Sequence, residues 1–491
     1  MAYPARGKEY AAMGVTASNL ATAYLRFFGE MFLRPNYMVE VVKTLPWVAL
    51  PQSTLKRIEQ TVKTGVAIRR KKFQQEEPYQ EFTLPAGVPV AEAFETPQFD
   101  HYSLLGVELD REVAHAYGLN VSDMASLCRD FQEAVNAQRN NVEEADREAD
   151  DEEEEVLRSG GEPTDNTKGL VSYFVGCAVG RWDIRLSTGE RQPPELPDPF
   201  DPLPVCPPGM LQGPDGLPAK PEDVPSDYPI RIDWDGILVD DPGHEDDIIR
   251  RVQDVLEVIW KDRAEAIEKE ACEILGVREL RDYFRKPGNG GFWMDHVKRY
   301  SKSRRKAPIY WYLRSAKGNY GLWLYYHRLD KDILFKALLN YAEPKIRLEE
   351  DRLNTLRARR EQAGKSGRQA KKIEKDMDRQ EQFVSELKDF EEKLRRVANL
   401  HLDFDLNDGV ILNIAPLWEL VAWNEPKKYW QELQEGKYDW SHIAYQLWPE
   451  RVKEKCRTDR SLAIAHGLEE LSEAKAPKSK KKAGHGRQNS L

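Results

Sequence analysis

The residue types best suited to chemistry in this sequence are basic and aromatic side chains that alternate between residues 293 and 326. Lysine and arginine neutralise phosphate groups, and aromatic rings offer faces on which bases stack. The segment is therefore predicted to bind double-stranded DNA, with His296 as a further basic member; the alternative is a solvated helix face beside an aromatic core. The predicted DNA contacts are Lys298, Arg299, Lys302, Arg304, Arg305, Lys306, Tyr310, Trp311 and Lys317.

Motifs for catalysis or metal binding are missing from the sequence. Residues 363–366 (AGKS) resemble the end of a phosphate-binding P-loop, but Arg359 stands where the first glycine belongs and no strand precedes it. Residues 286–293 (KPGNGGFW) lack the strand, loop and helix of a dinucleotide fingerprint. The histidines are scattered, and the five cysteines have no metal-ligand spacing. No catalytic, cofactor-binding or metal-binding residue is predicted.

Methyl transfer to the exocyclic amine of a DNA base needs two further motifs. One is a glycine-rich loop after a strand, which binds S-adenosylmethionine. The other is an Asn/Asp/Ser-Pro-Pro-aromatic tetrapeptide, which holds the flipped base. The Pro-Pro pairs of this chain, in residues 192–195 (QPPE) and 206–209 (CPPG), lack the required flanks. The chain alone is therefore not expected to methylate DNA.

The elements that must position the basic and aromatic side chains are mostly helices. Apolar residues recur at helical spacing in residues 20–42, 53–66, 104–139, 170–184 and 245–275, with shorter helical pieces at 278–284 and 292–305. Alternation predicts strands at 309–313 and 321–326, and short strands at 230–235 and 237–239. Residues 193–229 are rich in proline and predict an extended loop.

Helical spacing on both sides of residues 363–367 predicts an antiparallel hairpin of the coiled-coil type. The predicted fold class is mainly α with small α+β elements, an elongated helical protein that contains this hairpin. The length of 491 residues suggests about three domains. The net charge of −10 argues against uniform coating by nucleic acid but allows a local basic face. No apolar run is long enough to span a membrane and no signal peptide is evident, so a cytoplasmic location is expected.

Four segments resemble one family in wording and order. They are residues 170–184 (LVSYFVGCAVGRWDI), 305–329, 403–417 (DFDLNDGVILNIAPL) and 438–468. Together they resemble the C-terminal region of adenine-specific DNA methyltransferases of BREX and DISARM phage-defence systems (PglX-like enzymes) and of related type II restriction-modification proteins. Residues 45–59 and 81–86 are similar to the end of the target-recognition part of these enzymes.

The resemblance implies that DNA recognition and catalysis lie in different portions of the enzyme. In that family the cofactor loop and the NPPY-type tetrapeptide lie upstream of this region. The resemblance therefore implies that this chain is the DNA-recognition and accessory portion of an adenine-N6 methyltransferase, and that a separate catalytic half uses S-adenosylmethionine. The implied partners are double-stranded DNA and the methyltransferase half or other defence-system proteins. The alternative is a non-enzymatic interaction or scaffold subunit of a defence complex.

The resemblance and the composition together predict eight segments. They are a target-recognition-like region with spacer helices (1–100), a helical segment (101–145), an acidic linker (146–168), an apolar helix with a proline-rich loop (169–240), an aromatic-basic helical and β domain (241–345), the helical hairpin (346–400), a C-terminal module (401–470) and a disordered basic tail (471–491). Aromatic residues of 438–468 are predicted to pack the C-terminal module, and its basic residues 451–460 to touch DNA or a partner.

Overall fold

The computed structural model describes residues 8–21, 45, 48–89, 99–120, 163–302, 305–362 and 368–473, with residues 122, 123, 126 and 129. These residues are mainly helical with a small antiparallel sheet, which confirms the predicted fold class. The predictions for most of residues 20–42, for most of the acidic linker (146–168), for the P-loop-like residues 363–366 and for most of the basic tail (471–491) lie outside the described residues. Where they are described, residues 163–168 and 471–473 are helical, so the predicted linker and tail are each too long at one end.

The chain divides into two compact units, and part of the second interrupts the first in sequence. Unit 1 consists of the described residues within Met1–Trp234 and Ile248–Arg305, and unit 2 of those within Asp235–Asp247 and Lys306–Leu491. The finer division into eight segments stays a prediction. The helices of unit 1 are α1 (Glu9–Ala17), α2 (Gln52–Gln75), α3 (Phe99–Ala116), α4 (Pro163–Ala178), α5 (Arg185–Thr188), α6 (Ile248–Trp260), α7 (Ala264–Leu275), α8 (Leu280–Arg285) and α9 (Phe292–Tyr300).

The first three helices pack around a small apolar core. In α2, Leu55, Ile58 and Val62 are buried at spacings of three and four residues, so they share one face of the helix. Val15 belongs to the same core cluster as Ile58 and Val62. Gly14 permits the close approach of α1, because a Cβ built there would lie 2.5 Å from Ile58 Cγ2.

Residues 171–184 are buried, as the sequence predicts, but the helix ends at Ala178 and a turn follows. Gly180 in this turn has φ +71°, and a Cβ built there would lie 2.7 Å from Ile232 Cγ2. The turn therefore requires glycine for both conformation and space. It directs Arg181 and Trp182 into the interior of unit 1, where both side chains are buried.

Two further secondary-structure predictions, for residues 245–275 and 230–235, are wrong. The single helix expected over residues 245–275 is two helices, α6 and α7, joined by the 3₁₀ turn Lys261–Arg263 with φ +51° at Lys261. Trp260 lies edge-on to Phe174 at a centroid distance of 5.8 Å, and this anchor fixes the end of α6. Residues 230–235 form no strand, although Ile230 and Ile232 are buried.

The sheet of unit 2 is antiparallel with three strands in the order β1-β3-β2. These strands are β1 (Ile237–Val239), β2 (Tyr310–Arg314) and β3 (Gly321–Tyr325). Tyr312 is paired with Trp323, and their rings stack at 4.2 Å. All three strands were predicted from the sequence. The helices of unit 2 are α10 (Ile333–Lys336), α11 (Glu343–Gln362), α12 (Arg368–Ala398), α13 (Val410–Ile414), α14 (Glu425–Gln434), α15 (His442–Leu447), α16 (Pro449–Cys456), α17 (Arg460–Ala465) and α18 (Glu469–Glu473).

Helices α11 and α12 form the predicted antiparallel hairpin. Glu343 near the start of α11 pairs with Arg395 near the end of α12, at 2.8 Å. Near the other end of the hairpin, Arg360 pairs with Glu374 at 2.5 Å. The buried positions of α12, which include Val384, Leu387, Phe390 and Leu394, recur every three or four residues and form one apolar face.

Candidate nucleic-acid interface

Helix α9 carries the first basic residues of the predicted interface. Phe292, Trp293, His296 and Val297 form its buried face, so the positions that follow them point toward the surface. Lys298 is exposed, and within the described part of the chain it pairs with no carboxylate. It lies in the last turn of α9, where the helix dipole favours a positive charge. Lys298 is therefore available to a phosphate group.

Arg299 is less exposed than Lys298. It is half-buried, and its guanidinium lies against the backbone of α4: a Cβ built at Gly169 would lie 3.3 Å from Nη1. Asp295, one turn earlier, accepts a hydrogen bond from the Tyr283 hydroxyl at 3.0 Å and pairs with Lys168 at 3.5 Å. Arg299 thus lies against α4 and keeps partial access to solvent, so its guanidinium is accessible to a phosphate group.

A buried network that sequence reasoning missed holds the end of α9. Glu77 accepts hydrogen bonds from the Ser172 hydroxyl at 2.5 Å and from Trp182 Nε1 at 2.9 Å, and it pairs with Arg181 at 3.3 Å. Arg181 also donates to the Tyr300 hydroxyl at 2.7 Å, and its guanidinium lies 4.2 Å from the centroid of the Trp182 ring. The network therefore ties α9 to α4 and to the segment after α2.

His296 adds no positive charge to the basic surface. Its side chain is buried between Phe292 and Tyr300, with ring centroids at 5.9 and 4.7 Å. Burial lowers the pKa of His296 well below its usual value, and the positive charges of Arg299 and Arg181 lower it further. His296 is therefore neutral near pH 7, and its inclusion in the basic cluster was wrong.

Replacement of His296 by phenylalanine is expected to make unit 1 more resistant to mild acid. The pKa of His296 is lower in the folded protein than the value of about 6.5 in the unfolded chain, so the unfolded state binds more protons as the pH falls below that value. The native protein then loses up to about 1.4 kcal/mol of stability per pH unit from this one group. Urea unfolding at pH 7.5 and 5.5 measures the difference.

The exposed His115 of α3 gives the matched control for this experiment. His115→Gln should leave the pH dependence of the unfolding free energy unchanged, whereas His296→Phe should flatten it. Parallel pH profiles for wild type and His296→Phe would contradict the assignment of a neutral buried imidazole.

The remaining basic residues of the predicted set are divided between the two units. Arg304 lies outside the described residues, and so do the side chains of Lys302 and Arg305. Helix α9 ends at Tyr300, so the helix predicted over residues 292–305 is too long; the two-residue strands Ser301–Lys302 and Arg305–Lys306 follow. Lys306 is half-exposed and begins the second part of unit 2.

Tyr310 and Trp311 lie in the core of unit 2. Their side chains are 1% and 0% exposed. Trp311 Nε1 donates to the Pro308 carbonyl at 3.0 Å, and its ring packs against Tyr326 and Phe404. Neither ring offers a free face, since β2 is covered on both sides. In this conformation the two aromatic residues support the sheet and do not reach a base.

Lys317 lies in the turn between β2 and β3, and a carboxylate of the hairpin holds this turn. Glu386 of α12 accepts hydrogen bonds from the Ser315 hydroxyl at 2.5 Å, the Lys317 backbone N–H at 2.9 Å and the Asn319 side-chain amide at 2.7 Å. Burial raises the pKa of Glu386, but these hydrogen bonds outweigh it and the net shift is downward. The Lys317 side chain is exposed and donates to Gln382 at 3.4 Å.

Basic residues of the C-terminal module are engaged within the module. Arg451 donates to Asp439 at 2.6 Å and to the Leu433 carbonyl at 2.8 Å, and its guanidinium lies over the Trp448 ring. Lys455 pairs with the same carboxylate at 2.5 Å. Asp439 is therefore the centre of a folded module, and these two cations are less available to an external partner than Lys298.

The described ranges contain neither a membrane-spanning helix nor a cluster of metal-binding side chains. No helix in them combines the length and the apolar character needed to cross a membrane. No group of three or more His, Cys, Asp or Glu side chains in the same ranges is placed to hold a metal ion.

Comparison with known proteins finds sequence similarity to two adenine-specific methyltransferases. No protein-family model matches the chain. It is 25% identical over 276 residues to the adenine-specific methyltransferase BrxX of Escherichia coli O9:H4 (strain HS), across 53% of this chain and 20% of that protein. It is 28% identical over 260 residues to the adenine-specific methyltransferase PglX of Lacticaseibacillus casei (strain Zhang), across 50% of this chain and 19% of that protein. The chain thus spans about a fifth of the length of these curated relatives. Over about half of its length, this chain has a PglX-like relationship to adenine-specific methyltransferases, as its sequence motifs predict.

Proposed function

We propose that this chain is the DNA-recognition and accessory portion of an adenine-N6 DNA methyltransferase of a phage-defence system, acting in the cytoplasm. The similarity to two adenine-specific methyltransferases over about half of the chain carries the proposal. The sequence has neither the glycine-rich cofactor loop nor the NPPY-type tetrapeptide, so the methyl transfer and the binding of S-adenosylmethionine belong to a catalytic half outside this sequence.

The exposed cations around α9 support a role in DNA binding. Lys298 is exposed and Arg299 is held against α4, so both can approach a phosphate backbone without rearrangement of the core. Phosphate contacts position a protein on the duplex and carry no direct sequence information. We therefore assign these residues to affinity and orientation. Lys306 and Lys317 are half-exposed and exposed, and they belong to the same proposal.

The substitution Lys298→Glu is expected to weaken binding to duplex DNA about tenfold, and by a similar factor for unrelated sequences. It should also reduce the slope of log affinity against log salt by about 1, because one phosphate contact is lost. Fluorescence anisotropy with a labelled duplex at several KCl concentrations measures both quantities.

Lys269→Glu is the matched control, since Lys269 lies in α7 of the same unit and its side chain is 80% exposed. Both variants change the net charge equally, so a local contact predicts an effect for Lys298→Glu alone. Equal behaviour of the two variants would contradict the assignment of Lys298. A wild-type chain that binds no duplex at any salt concentration would favour the scaffold subunit and overturn the proposed function.

A further inference from the structure

The helical hairpin has a charge distribution that its packing does not require. Residues 357–375, which run from the end of α11 to the start of α12 in sequence, contain eight Lys or Arg residues and two Glu residues. Two of the cations are paired across the hairpin: Arg357 with Glu381 at 2.8 Å and Arg360 with Glu374 at 2.5 Å. The remaining described cations at this end are Arg359, Arg368, Lys371, Lys372 and Lys375, and all are exposed.

Four of these cations form one stripe, which we call the hairpin stripe. Arg368, Lys371, Lys372 and Lys375 follow the i, i+3, i+4, i+7 spacing that places side chains on a single face of a helix. The opposite face of α12 packs inward, since Ala370 is buried and Ile373 and Met377 are half-buried. Within the described residues no carboxylate pairs with any member of the stripe.

The other half of the hairpin, which contains the start of α11 and the end of α12, has a different charge distribution. There the cations are paired with carboxylates on the same helix, across the hairpin or, for Arg396, beyond the hairpin. The ion pairs are Arg347–Glu343, Arg352–Glu349, Lys388–Glu350, Lys393–Asp389, Arg395–Glu343 and Arg396–Glu419. The stripe lacks this matching, although like charges three and four residues apart disfavour a helix by about as much as opposite charges favour it.

We propose that the hairpin stripe binds the phosphate backbone of duplex DNA as a second contact surface, separate from α9. The four residues span seven helical steps, or about 10 Å along α12. One strand of B-DNA presents about three phosphates over that length. The stripe has the sign, spacing and exposure to neutralise them, and its contacts are independent of sequence. This inference rests on the proposed function, and it adds a surface that orients the duplex.

The test compares two fourfold variants with the same change in net charge. The stripe variant is Arg368→Gln, Lys371→Gln, Lys372→Gln and Lys375→Gln. The matched control is Arg347→Gln, Arg352→Gln, Lys388→Gln and Arg396→Gln, which removes four paired cations from the other half. Glutamine is as good a helix former as lysine and arginine, so the hairpin should persist in both variants; circular dichroism and thermal unfolding check this.

The stripe variant is expected to bind a labelled duplex ten- to a hundredfold more weakly at 100 mM KCl. Its slope of log affinity against log salt should fall by about 2 to 3, while the control changes by less than about 1. If the wild type binds DNA and the salt-dependence slopes of the stripe variant and the control are equal, the hairpin stripe does not bind DNA. The proposed function would remain. Failure of the wild type to bind DNA would overturn both.

An acidic protein is the other class of partner that such a stripe would attract. Measuring the binding of poly-L-glutamate to the wild type and to both variants distinguishes an acidic protein partner from DNA. Unchanged DNA binding by the stripe variant, with loss of poly-L-glutamate binding, would assign the stripe to an acidic protein and overturn our inference.

Discussion

Replacement of Glu77 by alanine is expected to destabilise unit 1 by about 3 to 5 kcal/mol, because Arg181 would then be a buried charge without its carboxylate. Ser172 and Trp182 would lose the same acceptor. For a unit of this size such a loss lowers the Tm by roughly 6 to 20 °C. Thermal unfolding followed by near-ultraviolet circular dichroism measures the effect, and limited proteolysis assigns it to unit 1.

Two companion variants make the Glu77 prediction specific. Glu77→Gln keeps a hydrogen-bond acceptor of the same shape and removes the charge. The Tm of Glu77→Gln should therefore lie between the Tm of the wild type and that of Glu77→Ala. Glu270→Ala changes an exposed carboxylate of α7 and should alter the Tm by less than about 2 °C. A Tm for Glu77→Ala close to that of Glu270→Ala would refute the buried network.

Replacement of Glu386 by alanine is expected to destabilise unit 2 by about 3 kcal/mol. The substitution removes the acceptor of the hydrogen bonds that fix the turn between β2 and β3. Hydrogen bonds to a charged acceptor contribute about 1.5 to 3 kcal/mol each, and solvent recovers part of the loss at Lys317 and Asn319. Hydrogen exchange of the β2 and β3 amides reports the loosened turn directly.

The loss of stability caused by Glu386→Ala should become smaller as the pH falls. The pKa of Glu386 is lower in the folded protein than in the unfolded chain, so its contribution is complete above the unfolded value of about 4.3. The contribution disappears as the pH falls through the folded value, and the variant and wild type then converge. Glu392→Ala, an exposed carboxylate of the same helix, is the control and should show neither effect. A constant difference from pH 7 to pH 3 would argue against a charged acceptor.

The aromatic residues of β2 show what sequence patterns predict well and what they miss. Alternation of residues 309–313 and 321–326 predicts two strands, and β2 and β3 are found there. The same pattern cannot tell a surface strand from one that is covered on both faces. Trp311 is enclosed by Tyr326 and Phe404, and Phe404 lies more than 90 residues away in the chain. Only the tertiary fold brings such partners together, so the proposed role of Tyr310 and Trp311 in stacking has no support from their burial.

The buried network of unit 1 was missed for a related reason. Glu77 and Arg181 are charged residues in stretches that otherwise suggest a surface helix end and an apolar island. They become a pair because a glycine turn after α4 directs Arg181 inward. The exposure of Lys298 was easier to predict, since it follows from the positions of the apolar residues on the same short amphipathic helix.

The short segment Asp235–Asp247 belongs to unit 2, while the residues on either side of it belong to unit 1. It supplies β1, whose partner β3 emerges about 80 residues later during synthesis. Its Asp241 carboxylate also pairs with the Lys345 ammonium of α11 at 2.6 Å. A recombinant fragment that starts at residue 306 would therefore lack a strand and a counter-ion, and would expose the edge of β3 to aggregation. No single cut in the chain therefore separates unit 1 from unit 2.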